Sequence, residues 1–78
     1  MSGAVAELAS ELRRSYDSAP KSRKAASIHL FGIAHAETLR SVSKAEVVER
    51  AGLPVSYVTE LNKGTNLAEY VQIVKPLA

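Results

Sequence analysis

Residues 43 to 64 read SKAEVVERAGLPVSYVTELNKG, and this stretch decides the fold. Ser43 can accept a hydrogen bond from the backbone amide of Glu46, and the glutamate side chain can reach back to the serine amide. This capping box predicts a helix start at Ser43. The helix should end at Gly52, because glycine readily takes the left-handed conformation that terminates helices.

A second helix is predicted directly after this glycine. Pro54 suits its first turn, and the helix should stop near Gly64. Its buried face should carry Val55, Val58 and Leu61. Two short helices joined by a tight turn are typical of a helix-turn-helix unit, which we place from about residue 43 to residue 63.

The sequence before this unit predicts two more helices. Apolar residues at helical spacing predict the first helix from Ala4 to Tyr16. Ser22 can cap the second helix, which should continue to about Arg40. Gly32 in its middle costs about 1 kcal/mol relative to alanine, so we expect another helix to approach closely there. The fold class is therefore all-α, with four to five helices.

The C-terminal segment from residue 65 to residue 78 is ambiguous. Asn66 and Glu69 imitate a capping box, whereas the run Tyr70-Val71-Gln72-Ile73-Val74 is rich in strand-forming residues. We favour one helical turn followed by an extended or short β segment. If the segment is helical instead, its apolar side chains would pack on the first helix.

Composition indicates one small domain spanning residues 1 to 78. A core of this size is marginal, and a chain without cysteine has no disulfide to support it. Association of two copies is the remaining way to stabilise so small a domain, so we expect a homodimer that uses the C-terminal segment. Glu7 and Glu11 interrupt any signal peptide, and no stretch approaches a membrane span. We therefore expect a cytoplasmic protein with no membrane contact.

The quoted stretch resembles the helix-turn-helix of bacterial and phage regulators. The resemblance covers about a quarter of the chain and rests on the pattern of apolar residues around Gly52 and Leu53. Val48 departs from the pattern, which usually has alanine where the two helices cross. A looser similarity to small bacterial helix-turn-helix-like proteins of poorly defined role includes the runs from Ile28 to Gly32 and from Leu67 to Val71.

The resemblance implies a sequence-specific DNA-binding protein, and a transcriptional regulator in particular. Val55 to Asn62 would be the recognition helix that enters the major groove of double-stranded DNA. Glu60 is discordant, because it could accept a hydrogen bond from cytosine but would repel phosphate. The candidate DNA contacts on and around this helix are Ser56, Tyr57, Thr59, Glu60, Asn62, Lys63 and Lys44.

A basic cluster at the start of the second predicted helix has two interpretations. It could clamp phosphate, since helix amino ends favour anions, or it could be an ordinary solvated helix start. Its members are Lys21, Arg23 and Lys24.

The alternative to DNA binding is a protein interaction module with the same fold. It is favoured by charge cancellation, since three basic and three acidic residues lie between Ser43 and Lys63. An enzyme is not indicated, because the sequence has no nucleophile elbow and no glycine-rich phosphate loop. His29 and His35 are six residues apart, which is not the spacing of a metal pair on one helix face. We expect no metal, cofactor or small-molecule ligand.

Overall fold

The computed structural model describes residues 3 to 75, which form five α-helices and one short 3₁₀ turn. No strand occurs in this range, so the predicted all-α class is confirmed and the β segment is not formed there. The 3₁₀ turn spans Lys21–Arg23 and precedes α2. The helices are α1 (Gly3–Ser18), α2 (Lys24–Ala34), α3 (Ala36–Leu39), α4 (Lys44–Arg50) and α5 (Tyr57–Leu67).

One apolar cluster joins the five helices. In α1 the predicted stripe is confirmed, because Leu8 and Leu12 are buried while Val5 and Tyr16 pack against the cluster from its edge. The largest fully buried side chains are Leu12, Ile28, Leu39, Leu61, Val47 and Val48. Val48 therefore fits the core at the position where the related pattern usually has alanine.

The closest helix packing lies between α2 and α5, where Gly32 faces Gly64. A Cβ atom built on Gly32 would lie 2.7 Å from the carbonyl oxygen of Leu61, and one on Gly64 would overlap the carbonyl oxygen of His29. The two backbones can approach this closely only without side chains. The predicted close approach of a helix at Gly32 is confirmed.

The second predicted helix is interrupted, so the prediction of one helix to Arg40 was wrong. His35 leaves helical geometry at φ −114° and ψ 24°, and α3 begins at the next residue. The break redirects the chain so that Ala36 and Leu39 enter the core, where α3 contacts α5. Ser22 does not cap α2 either, because it lies within the 3₁₀ turn that follows Pro20.

Both predicted ends of α5 were wrong. Pro54 precedes the helix in a separate turn, in which the amide of Tyr57 donates to the carbonyl of Pro54 at 3.0 Å. At the other end, Gly64 does not stop the helix. It lies where α5 crosses α2, and its lack of a side chain lets the two helices come close together. The helix continues to Leu67, and Asn66 lies inside it rather than at a cap.

Residues 68 to 70 form a turn, and residues 71 to 75 continue without regular structure. The predicted helical turn followed by a non-helical segment agrees with this path up to residue 75, and residues 76 to 78 of the predicted segment lie outside the described residues. Most of the apolar side chains in this region are strongly exposed, so they do not pack on α1 as the helical alternative required. The exposed fractions are 45% for Leu67, 81% for Tyr70, 46% for Val71 and 85% for Val74.

Gly52 has φ +74°, which confirms the predicted left-handed turn after α4. Replacing it with valine should lower the free energy of unfolding by about 1–2 kcal/mol or more, since β-branched residues resist this conformation. Space is not limiting, because a Cβ would lie 3.5 Å from the nearest atom, on Arg13. Urea denaturation followed by circular dichroism would measure the loss. Gly52→Asn is the control, and an equal loss in both variants would contradict a conformational origin.

Candidate nucleic-acid interface

The exposed face of α5 carries a continuous line of polar side chains. Thr59, Asn62, Lys63 and Asn66 are all exposed, and their spacing of three, four and seven residues places them on one side of the helix. We call these four residues the polar stripe. The other side of α5 is buried through Leu61, Gly64 and Thr65.

The sequence predicted most of the exposed positions on and around the polar stripe, but not Asn66. Ser56, just before α5, is exposed as predicted, and so are Thr59, Asn62 and Lys63. Asn66 was missed, because its position beside Glu69 suggested a cap after the helix. The signal that could have placed it is its distance of seven residues from Thr59, which continues the same face if the helix passes through Gly64.

Tyr57 and Glu60 do not point outward as the sequence suggested. Tyr57 is half-buried, with its ring edge-on to Tyr16 at a centroid distance of 5.6 Å. Glu60 is also half-buried, and its Oε1 atom lies 2.5 Å from Nε2 of His29 on α2. Both side chains serve the packing of α5 on the neighbouring helices.

The position of Glu60 changes the electrostatics of α5. It follows Thr59 by one residue, which rotates it by about 100° from that side chain around the helix. Its carboxylate interacts with His29 and lies 4.0 Å from the Lys63 amine. The acidic group is thus held at the margin of the polar stripe, which itself contains no acid.

Tyr16 connects the amino end of α5 with the start of α2. Its ring contacts Tyr57 and lies 4.7 Å from the amine of Lys24, measured to the ring centroid. Three features raise the pKa of Tyr57 above its ordinary value. The largest effect is the hydrogen-bonding contact with Tyr16, and partial burial and the negative charge of Glu60 add smaller effects. Tyr16 on α1 thus joins Lys24 on α2 to Tyr57 on α5.

The three residues of the basic cluster have different environments. Lys21 and Arg23 are exposed in the 3₁₀ turn. Lys24 is half-buried, and its amine donates to the carbonyl oxygen of Tyr16 at 2.5 Å. Lys24 thus provides a hydrogen-bond donor for a carbonyl group near the carboxyl end of α1, whereas the charged groups of Lys21 and Arg23 are exposed to solvent. Lys24 connects the start of α2 with Tyr16, which in turn contacts Tyr57 at the first residue of α5.

Arg13 on α1 forms hydrogen bonds with the turn that follows α4. Its Nη1 atom donates to the carbonyl oxygens of Ala51 and Gly52, each at 3.3 Å, and its Nε atom pairs with Asp17 at 3.2 Å. Sequence reasoning missed this role, because an arginine on an exposed helix face gives no signal for a partner 38 residues away.

The start of α4 agrees with the sequence in part. Ser43 accepts a hydrogen bond from the amide of Glu46 at 3.2 Å, as predicted. The reciprocal bond is not made, because the Glu46 carboxylate pairs with Arg50 at 2.9 Å instead. Lys44, a candidate DNA contact, is half-buried in the first turn of α4.

Neither a metal-binding cluster nor a membrane-spanning helix occurs in residues 3 to 75, the part of the chain that the structure describes. No group of three or more histidine, aspartate or glutamate side chains there could hold a metal ion. Within the same range, none of the helices has the length and apolar character needed to cross a membrane.

Comparison with known proteins gives one positive result. No curated protein and no solved structure matches the chain significantly. A family model described as an HTH-like domain matches residues 4 to 74, which includes all five helices except the first residue of α1. The chain therefore belongs to the family of HTH-like domains.

Proposed function

We propose that this chain is a sequence-specific binder of double-stranded DNA and acts, without catalysis, as a small cytoplasmic transcriptional regulator of the bacterial or phage kind. The observation that carries the proposal is the polar stripe on α5, which combines hydroxyl, amide and amine groups and contains no acid. Membership of the HTH-like domain family supports it. In this proposal the whole chain works as one domain, and α5 enters the major groove.

The chemistry of the polar stripe suits base edges. The amides of Asn62 and Asn66 can each form two hydrogen bonds with adenine, and Lys63 can donate to guanine or to phosphate. Thr59 can bond to either a base or a phosphate, and its methyl group can contact thymine. Tyr57 and Glu60 are left out of base recognition in this proposal, because they contact Tyr16 and His29.

Phosphate contacts would come from cations outside the polar stripe. Lys21 and Arg23 are exposed in the 3₁₀ turn and are available to the DNA backbone. Lys44 is a further candidate at the start of α4. Lys24 would act indirectly, by holding the end of α1 beside Tyr16.

In the proposed function, two copies of the chain bind DNA together as a homodimer. One unit of this size buries little DNA surface, and regulators with this motif commonly read two half-sites about one helical turn apart. The small core of a 78-residue chain without cysteine also favours association.

Low-salt gel-shift titration with mixed genomic fragments tests DNA binding directly. We expect retardation whose affinity falls steeply with salt, since phosphate contacts release counterions. Neutralising Lys21 and Arg23 together should weaken binding evenly across sequences and reduce the slope of log affinity against log salt by about 2. Lys24 is left unchanged because of its structural contact.

Arg40→Gln with Arg50→Gln is the matched control, because it removes the same charge from two exposed positions outside the polar stripe, the groove between α1 and α2, and residues 71 to 75. An equal change in slope would mean that net charge alone governs binding. An absence of retardation at low salt would refute DNA binding by the chain.

The second candidate function is a protein interaction module. It is favoured by the exposed apolar side chains of Leu67, Tyr70 and Val74 at the end of the described chain. The same titration separates the two functions, because an interaction module would leave DNA unshifted even at low salt.

A further inference from the structure

A groove with a volume of about 540 Å³ lies between α1 and α2, outside the proposed DNA-binding face. Its apolar lining includes Ala19 at the end of α1 and Leu30, Phe31 and Ala34 on α2. Arg14 and the pair formed by Glu11 and His35 lie among its polar lining residues. The groove is thus a largely apolar channel with polar groups along its sides.

One residue of the chain's own C-terminal end also lines this groove. Residues 71 to 75, which we call the arm, follow the turn after α5, and the side chain of Ile73 reaches the groove. Ile73 is still 39% exposed there, and the neighbouring Val74 is 85% exposed. The chain therefore displays both an apolar groove and the kind of apolar segment that fits it, with only one residue engaged.

The attachment of the arm limits how far it can extend along the groove of its own chain. The amides of Tyr70 and Val71 both donate to the carbonyl oxygen of Leu67, at 2.8 and 3.1 Å, which holds the base of the arm against the end of α5. From Val71 to Val74 the extended chain spans only about 10 Å. An arm from another molecule has no such tether to this α5 and can lie along the groove.

We propose that the groove between α1 and α2 receives the arm of a second copy of this chain, in a reciprocal exchange. A two-fold axis would place each arm in the partner's groove, so that one contact is made twice. Val71 would be buried together with Ile73, because alternate side chains of an extended chain share a face, and this removes exposed apolar surface that favours aggregation. This inference rests on the homodimer of the proposed function and is independent of its DNA binding.

Disulfide trapping tests the exchange cleanly, because the chain has no cysteine. Single variants Ala34→Cys and Ile73→Cys, one of them carrying a mass tag, are mixed, oxidised mildly and separated on a non-reducing gel. Ala45→Cys replaces Ala34→Cys in the control, since Ala45 is an exposed helical alanine that does not line the groove. We expect about tenfold more cross-linked heterodimer with Ala34→Cys, because exchange raises the effective concentration of the two thiols. A yield equal to the control overturns the proposal.

Sedimentation of the protein without substitutions separates this inference from the rest of the proposed function. A dimer without enhanced cross-linking would show that the copies associate through another surface. A monomer at tens of micromolar would refute the homodimer and the exchange together while leaving DNA binding to the gel-shift titration.

Ile73→Asp should convert the dimer to a folded monomer, whereas Gln72→Asp adds the same charge to the arm and should leave the dimer intact. Dissociation of both variants, or of neither, would contradict the role of Ile73.

Discussion

Replacing Gly64 with alanine should lower the free energy of unfolding substantially, because the added Cβ has no room between α2 and α5. The added Cβ would overlap the carbonyl oxygen of His29 and lie 3.1 Å from the Cα atom of Gly32. These are backbone atoms, which cannot rotate away, so α2 and α5 would have to separate. Overpacking of this kind costs about 1–3 kcal/mol or more, which exceeds the gain of about 1 kcal/mol from replacing a helical glycine with alanine.

The effect should be large because the α2 and α5 contact is central and the domain is small. Domains of this size have little stability in reserve. Urea denaturation followed by circular dichroism measures the loss, and Gly32→Ala should behave similarly because its Cβ would meet the carbonyl oxygen of Leu61. Gly3→Ala is the control, since Gly3 lies in α1 with no atom near its missing side chain. A midpoint for Gly64→Ala equal to that of Gly3→Ala would show that the crossing tolerates a side chain.

Replacing both Thr59 and Asn62 with alanine should abolish specific DNA recognition while leaving the fold intact. Both side chains are exposed on the polar stripe, so their loss removes no core packing. A good base contact provides about 1–3 kcal/mol of discrimination, so the pair should lower affinity for the preferred site by at least about 30-fold. Fluorescence anisotropy, with a site selected from random duplexes and a scrambled duplex, measures both affinities.

The matched control is Thr38→Ala with Gln72→Ala, which truncates a threonine and an amide side chain at exposed positions outside the polar stripe. The control should bind the selected site normally. If the Thr59 and Asn62 variant loses affinity equally for selected and scrambled duplexes, these residues contact phosphate rather than bases. If it keeps full affinity for the selected site, α5 is not the reading helix.

Three local signals in the sequence predicted local structure correctly. Ser43 caps α4, Gly52 takes positive φ after it, and the stripe from Leu8 to Leu12 buries one face of α1. Each of these features depends on backbone geometry or side-chain spacing within a few residues. The exposed positions of Thr59, Asn62 and Lys63 followed from the same periodicity, because Leu61 defines the buried side of α5.

Several errors arose where distant parts of the chain meet, whereas the misplaced helix starts at Ser22 and Pro54 arose within a few residues. Gly64 looked like a helix stop in isolation, but its lack of a side chain is used by the crossing with α2. Glu60 looked like an outward DNA contact, but His29 on another helix holds its carboxylate. The break at His35 likewise directs Leu39 toward the core.

The sequence by itself therefore determined the helical class, the cap and turn around α4, and the periodicity of the face that α5 exposes. The tertiary structure alone decided which glycine ends a helix and which one lets helices touch, which charged side chains stay free, and where Ile73 lies relative to the groove. The physical reason is that capping and periodicity act over a few neighbouring residues. Close packing and ion pairs instead depend on which distant segments the fold brings together.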